Sequence, residues 1–120
     1  MNAIQALNVF WSKFGLVAYD ETAVPSDAQL PYLTYEAVNS DFNRPVVGTA
    51  SLWYYDTSLA DISEKTLQIS HELGLGGSVI PYDGGTIWIQ KGTPFAQRMA
   101  DPNDMVKRMV LNLQYEYLGD

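Results

Sequence analysis

The chain has no cysteine and only one histidine, His71. The first absence removes disulfides and thiolate metal sites. The second leaves imidazole chemistry a single residue to rest on. Cations are also scarce, with seven Lys and Arg against fourteen Asp and Glu and a net charge of −7. Lys13, Arg44, Lys65, Lys91, Arg98, Lys107 and Arg108 are scattered, and only the last two are adjacent. Proteins that grip a phosphate backbone gather their cations into a patch, so direct nucleic-acid binding is not expected. An acidic surface instead repels such a backbone and prevents sticking. No apolar run approaches the roughly 20 residues that a helix needs to cross a bilayer. The opening segment 1–15 lacks the basic start and continuous apolar stretch of a signal peptide, so the protein is expected in the cytoplasm where it is made. With 120 residues, 47% of them apolar, and no repeat, low-complexity tract or linker, the chain reads as a single domain over 1–120 that buries one core without staples.

Residues 2–14 carry Ile4, Leu7, Trp11 and Phe14 at helical spacing, with Ala3 and Phe10 widening the stripe, and predict an amphipathic helix stopped by Gly15. Residues 16–31 hold two prolines among acids and hydroxyls and read as a surface loop. Tyr32 to Asn39 is rich in aromatic and β-branched residues and reads as a strand. Residues 40–50 form a long connection, and Ser51 to Thr57 a second strand paired antiparallel with the first. Ser58 and Asp61 resemble a capping box for a helix over 58–73, whose buried stripe is Leu59, Ile62, Thr66, Ile69 and Leu73. Asp61 and Lys65 stand at i, i+4 spacing, and Gly74, Gly76 and Gly77 end the helix. Residues 78–91 read as a hairpin turning at Asp83-Gly84-Gly85, with Pro81 placing its strand at an edge. Residues 92–104 form another long loop. The closing segment 105–118 alternates, with Leu111, Leu113, Tyr115 and Tyr117 on one face, and predicts a long final strand. The expected class is α+β: one mostly antiparallel sheet with two helices packed on one face, in the order α-β-β-α-β-β-β.

Catalytic signatures are weak throughout. His71 falls on the wheel opposite its helix's apolar stripe, near Glu64 and Gln68, and no second ligand or G-x-S-x-G element accompanies it. The glycines 74, 76 and 77 follow a helix, whereas a phosphate-cradling loop follows a strand and opens a helix. Asp20, Glu21, Asp101 and Asp104 lack the alternate spacing and bend glycine of a calcium loop. No catalytic, cofactor-binding or metal-binding residue is therefore assigned, and the chain is not expected to be an enzyme. The aromatics Tyr32, Tyr35, Trp53, Tyr54, Tyr55 and Trp88 lie on predicted strands. A stacking platform for single-stranded nucleic acid also needs a basic groove, which the charge balance does not supply. Because Trp53, Tyr54 and Tyr55 are consecutive, their side chains must alternate between faces. One face enters the core; the other is covered by another part of the chain or meets a partner.

The order of segments, with several local strings, resembles the tail terminator (tail completion) proteins of long-tailed bacteriophages, especially those of low-GC Gram-positive hosts. The strings are Tyr19-Asp-Glu-Thr-Ala-Val-Pro25 after the first helix, Leu30-Pro-Tyr-Leu-Thr-Tyr35, Trp53-Tyr-Tyr-Asp-Thr-Ser58 running into the second helix, Tyr82-Asp-Gly-Gly85, and Trp88-Ile-Gln-Lys-Gly92-Thr-Pro-Phe95. The likeness covers nearly the whole chain and lies in order rather than in a catalytic signature. It implies a homomeric ring, a hexamer, at the head-proximal end of the tail tube in the virion. Such a ring stops polymerisation of the major tail protein, joins the head-tail connector protein, and lets DNA pass without specific binding. It implies no cofactor and no membrane. Contacts are expected from the 40–50 arm through Phe42, Arg44, Val46 and Val47, from Tyr54, and from Phe95 and Arg98 of the 92–104 loop, since aromatic residues and Arg are enriched where proteins meet. The competing readings are another head-tail connector or minor structural phage protein, and a small-molecule binder with a pocket between sheet and helices.

Overall fold

The computed structural model describes residues 1–37 and 44–119. The first helix, α1 (Ala3–Ser12), opens on a complete capping box, with the Asn2 side chain accepting from the Gln5 backbone and the Gln5 side chain accepting from Asn2. Its buried stripe is Ala6, Leu7, Phe10 and Trp11, continued by Phe14. Ile4, expected in that stripe, is 57% exposed. The helix is turned so that residues 3, 6, 7, 10 and 14 point inward, which moves position 4 to a flank.

A short strand β1 (Val17–Asp20) follows and pairs parallel with β2 (Tyr32–Tyr35). β2 pairs antiparallel with β3 (Pro45–Tyr55), with Tyr32 opposite Trp53. The second helix, α2 (Ala60–Leu73), buries Ile62, Ile69 and Leu73. The capping box expected at Ser58 and Asp61 is not formed; the Ser58 hydroxyl accepts from the Ala60 N–H instead. Lys65 likewise reaches the Phe14 carbonyl and Gln68 rather than Asp61. Beyond it, β4 (Ser78–Tyr82) and β5 (Gly85–Met99) form the expected hairpin, and β6 (Val106–Gly119) closes the fold. The backbone at Gly77, between α2 and β4, has a φ of +80°, and a Cβ there would run into the Ile89 carbonyl. Only glycine suits both demands.

Among the described residues the sheet has six strands in the order β1-β2-β3-β6-β5-β4. This corrects the expected class and the order α-β-β-α-β-β-β. The chain runs α-β-β-β-α-β-β-β, and the sheet is mixed. Three features account for the difference. Residues 17–20, read as loop, gain strand geometry by pairing with β2. Residues 45–50, read as connection, are strand because Pro45 to Tyr55 pairs along its whole length with β6. Residues 92–99, also read as loop, continue β5 through a bulge: Lys91 faces Leu113 and Ala96 faces Leu111, so four residues oppose one. The Asn112 amide holds that bulge by donating to the Pro94 carbonyl and to Gln97, both at 2.9 Å.

The core gathers Leu33, Tyr35, Leu52, Ile87, Ile89, Leu111, Leu113 and Tyr115 from the strands against Trp11, Ile62, Ile69 and Leu73 from the helices. α2 lies against β3, β5 and β6, whereas α1 touches both edge strands, β1 and β4. Six flat strands at about 4.8 Å spacing put their edges about 24 Å apart, more than twice a helix diameter of about 10 Å. One helix touching both edges therefore requires the sheet to curl around it, with a concave side toward the helices and a convex side away from them. At the β1 edge, the Asn8 amide donates to the Ala18 carbonyl at 3.2 Å and to the Tyr35 hydroxyl at 3.1 Å. That edge is thereby covered by α1.

Candidate interaction surface

Residues paired across strands share a face of the sheet. Leu52 and Tyr54 are buried against the helices, so Ser51, Trp53 and Tyr55 take the convex side. The register adds Tyr32 and Thr34 from β2, Val17 and Tyr19 from β1, and Arg108 and Val110 from β6. Met99 of β5 follows, opposite Arg108.

These side chains form a continuous stripe across strands. Tyr19 meets Tyr32 edge-on with ring centroids 5.6 Å apart, and Tyr32 lies 6.4 Å from Trp53. The Arg108 guanidinium sits 4.4 Å over the Trp53 ring, within cation–π range. The polar atoms of the stripe are bonded within it. Trp53 Nε1 donates to Thr34 Oγ1 at 3.0 Å, and Arg108 donates through Nε and Nη2 to Ser51 Oγ at 3.3 and 3.2 Å. These contacts bury Thr34 and Ser51 on the face turned away from α1 and α2. Around the stripe, Val17, Tyr55 and Met99 are exposed, and farther along β3 so is Val47, at 77%. Arg108 is the stripe's charged residue. Tyr, Trp, Met and Arg with few other charges is the composition of an interface centre.

A second apolar surface lies on the helical side. A hollow of about 420 Å³ between α1 and β4 is lined by Ala6, Val9 and Phe10 of the helix and Val79, Ile80 and Pro81 of the strand. Val9 is 55% exposed. At one end Lys13 Nζ meets Glu72 Oε1 at 2.6 Å, which holds the Glu72 carboxyl below its ordinary pKa through that hydrogen bond and charge. The cation and anion there neutralise each other.

The residues singled out from the sequence do not converge on one place. Val47 is on the convex face. Val46 and Phe95 are partly buried against the core, with Lys91 Nζ 5.5 Å from the Phe95 ring. Tyr54 points inward and is buried; burial raises its pKa, and Asp61 and Glu64 add to the shift. Arg98 is exposed near the far end of β5, and Arg44 is exposed just before β3. Phe42 lies outside the described residues. The stripe itself escaped residue-by-residue reading. Trp53 and Arg108 are far apart in the sequence and meet only through the β3–β6 register; the consecutive aromatics 53–55 were the one local sign of it.

His71 is exposed on α2 beside a shallow hollow with Glu64, Leu67 and Gln68. Among the described residues, no group of three or more His, Cys, Asp or Glu could hold a metal ion. Asp20 is held below the ordinary carboxylate range because the Thr22 hydroxyl and N–H both donate to Oδ1, at 2.7 and 2.9 Å. That arrangement is a local turn. Among the described residues no helix is long and apolar enough to cross a membrane. No protein-family model matches the chain, and no match is found among curated proteins.

Proposed function

We propose that this protein is a structural component that works through protein–protein contacts, and specifically a tail terminator of a long-tailed phage. In this reading it forms a homomeric ring, a hexamer, on the head-proximal end of the tail tube in the virion. It stops growth of the major tail protein, presents a surface to the head-tail connector protein, and lets DNA pass through its centre. The observation that carries the protein-contact part is the convex stripe of Tyr19, Tyr32, Trp53 and Arg108, an aromatic sheet face with no covering helix. Its cation is already bonded to Ser51 and stacked on Trp53, so a phosphate backbone would gain little there, whereas an apolar protein surface would gain much. The net charge of −7 suits a wall past which DNA slides without adhering. The tail assignment rests on the resemblance in segment order.

The test is assembly of tails from major tail protein with and without this chain, followed by electron microscopy. The expected result is tubes of uniform length that join heads only when the chain is present. Tubes of the same length distribution in both samples would overturn the assignment.

A further inference from the structure

We infer that Arg108 in the convex stripe is a preset receptor for a single carboxylate, so that the partner docking there is a protein segment carrying one Asp or Glu between apolar side chains. The inference rests on the protein-contact reading of the stripe and adds the chemistry of the partner.

The hydrogen bonds of the guanidinium carry it. Such a group has five N–H donors, one on Nε and two on each Nη. Nε and Nη2 both donate to Ser51 Oγ, at 3.3 and 3.2 Å, which occupies the side edge of the fork. The end edge, formed by Nη1 and the second hydrogen of Nη2, has no acceptor among the described residues. The ion pairs among those residues are Met1–Asp83 and Lys13–Glu72, so none of their acids takes Arg108. The end edge of a guanidinium matches the two oxygens of a carboxylate. The group is also held in place. It stacks 4.4 Å over the Trp53 ring, and Trp53 is itself fixed by the bond from Nε1 to Thr34 Oγ1 at 3.0 Å. Thr34 and Ser51 are buried. Little side-chain freedom is left to lose on binding.

The surroundings select the class of anion. Arg108 is half-buried. Tyr55, two residues along β3 from Trp53, and Met99, opposite Arg108 on β5, are both exposed beside it. An apolar frame of this kind strengthens a charged hydrogen bond by excluding water. The acids of the same face stand farther off. Glu36 bonds to Thr49, four residues along β3 from Trp53, and Glu116 is eight residues along β6 from Arg108. At about 3.4 Å per residue these offsets are about 14 and 27 Å. They leave space for one carboxylate at Arg108, whereas a run of phosphates would meet them and the net charge of −7.

The probes are acetyl-Leu-Glu-Leu-amide, the same peptide with Gln for Glu, and inorganic phosphate. Each is titrated into ¹⁵N-labelled protein while the Arg108 Nε–H and Trp53 indole N–H signals are followed by NMR. The Glu peptide should shift both signals saturably and bind at least about fivefold more tightly than the Gln peptide. Arg108→Lys keeps the charge but loses the planar fork, and should abolish that preference while keeping the wild-type circular dichroism. Ser51→Ala frees the guanidinium to turn and should at least halve the preference; it serves alone if Arg108→Lys does not fold. Equal binding of the two peptides, or no saturable shift up to about 20 mM, would overturn the inference. So would phosphate binding as tightly as the Glu peptide, or a folded Arg108→Lys variant with its preference intact. The titration needs no tails, so the two readings fail separately. If the Glu peptide binds as expected but tails grow to the same lengths without the protein, the carboxylate site stands and the tail assignment falls. If tails terminate but the two peptides bind alike, the tail assignment stands and the carboxylate site falls.

Discussion

Tyr115 sits at the centre of β6 with no exposed surface, and its hydroxyl has no hydrogen-bond partner among the described residues. Among the described residues the Trp11 Nε1 is also unpartnered: the indole is close enough to oppose the Tyr115 shift, but the pair does not meet hydrogen-bond geometry. Burial is the main cause that pushes the Tyr115 phenol far above its ordinary pKa of 10. The unfolded chain releases this proton near pH 10 and the folded chain keeps it. Above pH 10 the unfolded state therefore binds fewer protons, and stability falls as pH rises. A phenol that stays protonated in the fold through pH 11.5 costs about 2 kcal/mol there, a substantial part of a typical total of about 5–15 kcal/mol. Tyr115→Phe removes this loss. At pH 7 it should change stability by less than about 1 kcal/mol, in the stabilising direction, because a buried unpaired hydroxyl is removed and little shape is lost. At pH 11.5 the variant should exceed wild type by about 2 kcal/mol more. Urea titrations followed by tryptophan fluorescence at pH 7, 10 and 11.5 measure both. Parallel alkaline curves for the two proteins would show that Tyr115 titrates normally in the fold. A loss above about 1 kcal/mol at pH 7 would show that its hydroxyl has a partner.

Trp11 and Ile69 are both fully buried, and truncating either to alanine should cost about 2–5 kcal/mol in a urea titration by leaving a cavity; a loss below about 1 kcal/mol would refute their packing roles. Gly77→Ala should destabilise by more than the roughly 1 kcal/mol of a usual left-handed substitution, because the added carbon also meets the Ile89 carbonyl; an unchanged melting temperature would refute this. His71→Ala should shift stability by no more than about 0.5 kcal/mol in a urea titration, as at other exposed sites; a loss well above that would show that the side chain has a structural role.

The elements legible in the sequence were those with a local cause. Leu111, Leu113, Tyr115 and Tyr117 alternate with polar neighbours and are the inward face of β6. Asp83 and Gly84 mark the β4–β5 turn, and the helix stripes of Trp11 and Ile69 point to the core. What stayed hidden depends on distant partners. β1 is four residues long, VAYD, too short for its Val17 and Tyr19 to set a pattern against the prolines and acids that follow. Pro94 and Gly92 carry the composition of a loop, yet the Asn112 amide folds them into a bulge and the strand resumes. The stripe was hidden for the same reason: pairing between distant segments creates it. The alternation of Trp53, Tyr54 and Tyr55 was legible, but not which face turns outward: Tyr54, expected at a contact, is the one that points inward, and the arrival of Arg108 over the indole depends on the β3–β6 register.

The place of β6 in the sheet also decides what a truncated chain exposes. It is the last strand in the chain, yet it lies between β3 and β5. Until residues 106–119 leave the ribosome, the β1-β2-β3 group and the β4-β5 hairpin have no strand to join them. Each carries an open edge, and the inner sides of both halves await the same missing row of side chains. The two halves of the sheet are therefore joined only through β6, and a chain lacking residues 106–119 leaves the long edges of β3 and β5 open to neighbours.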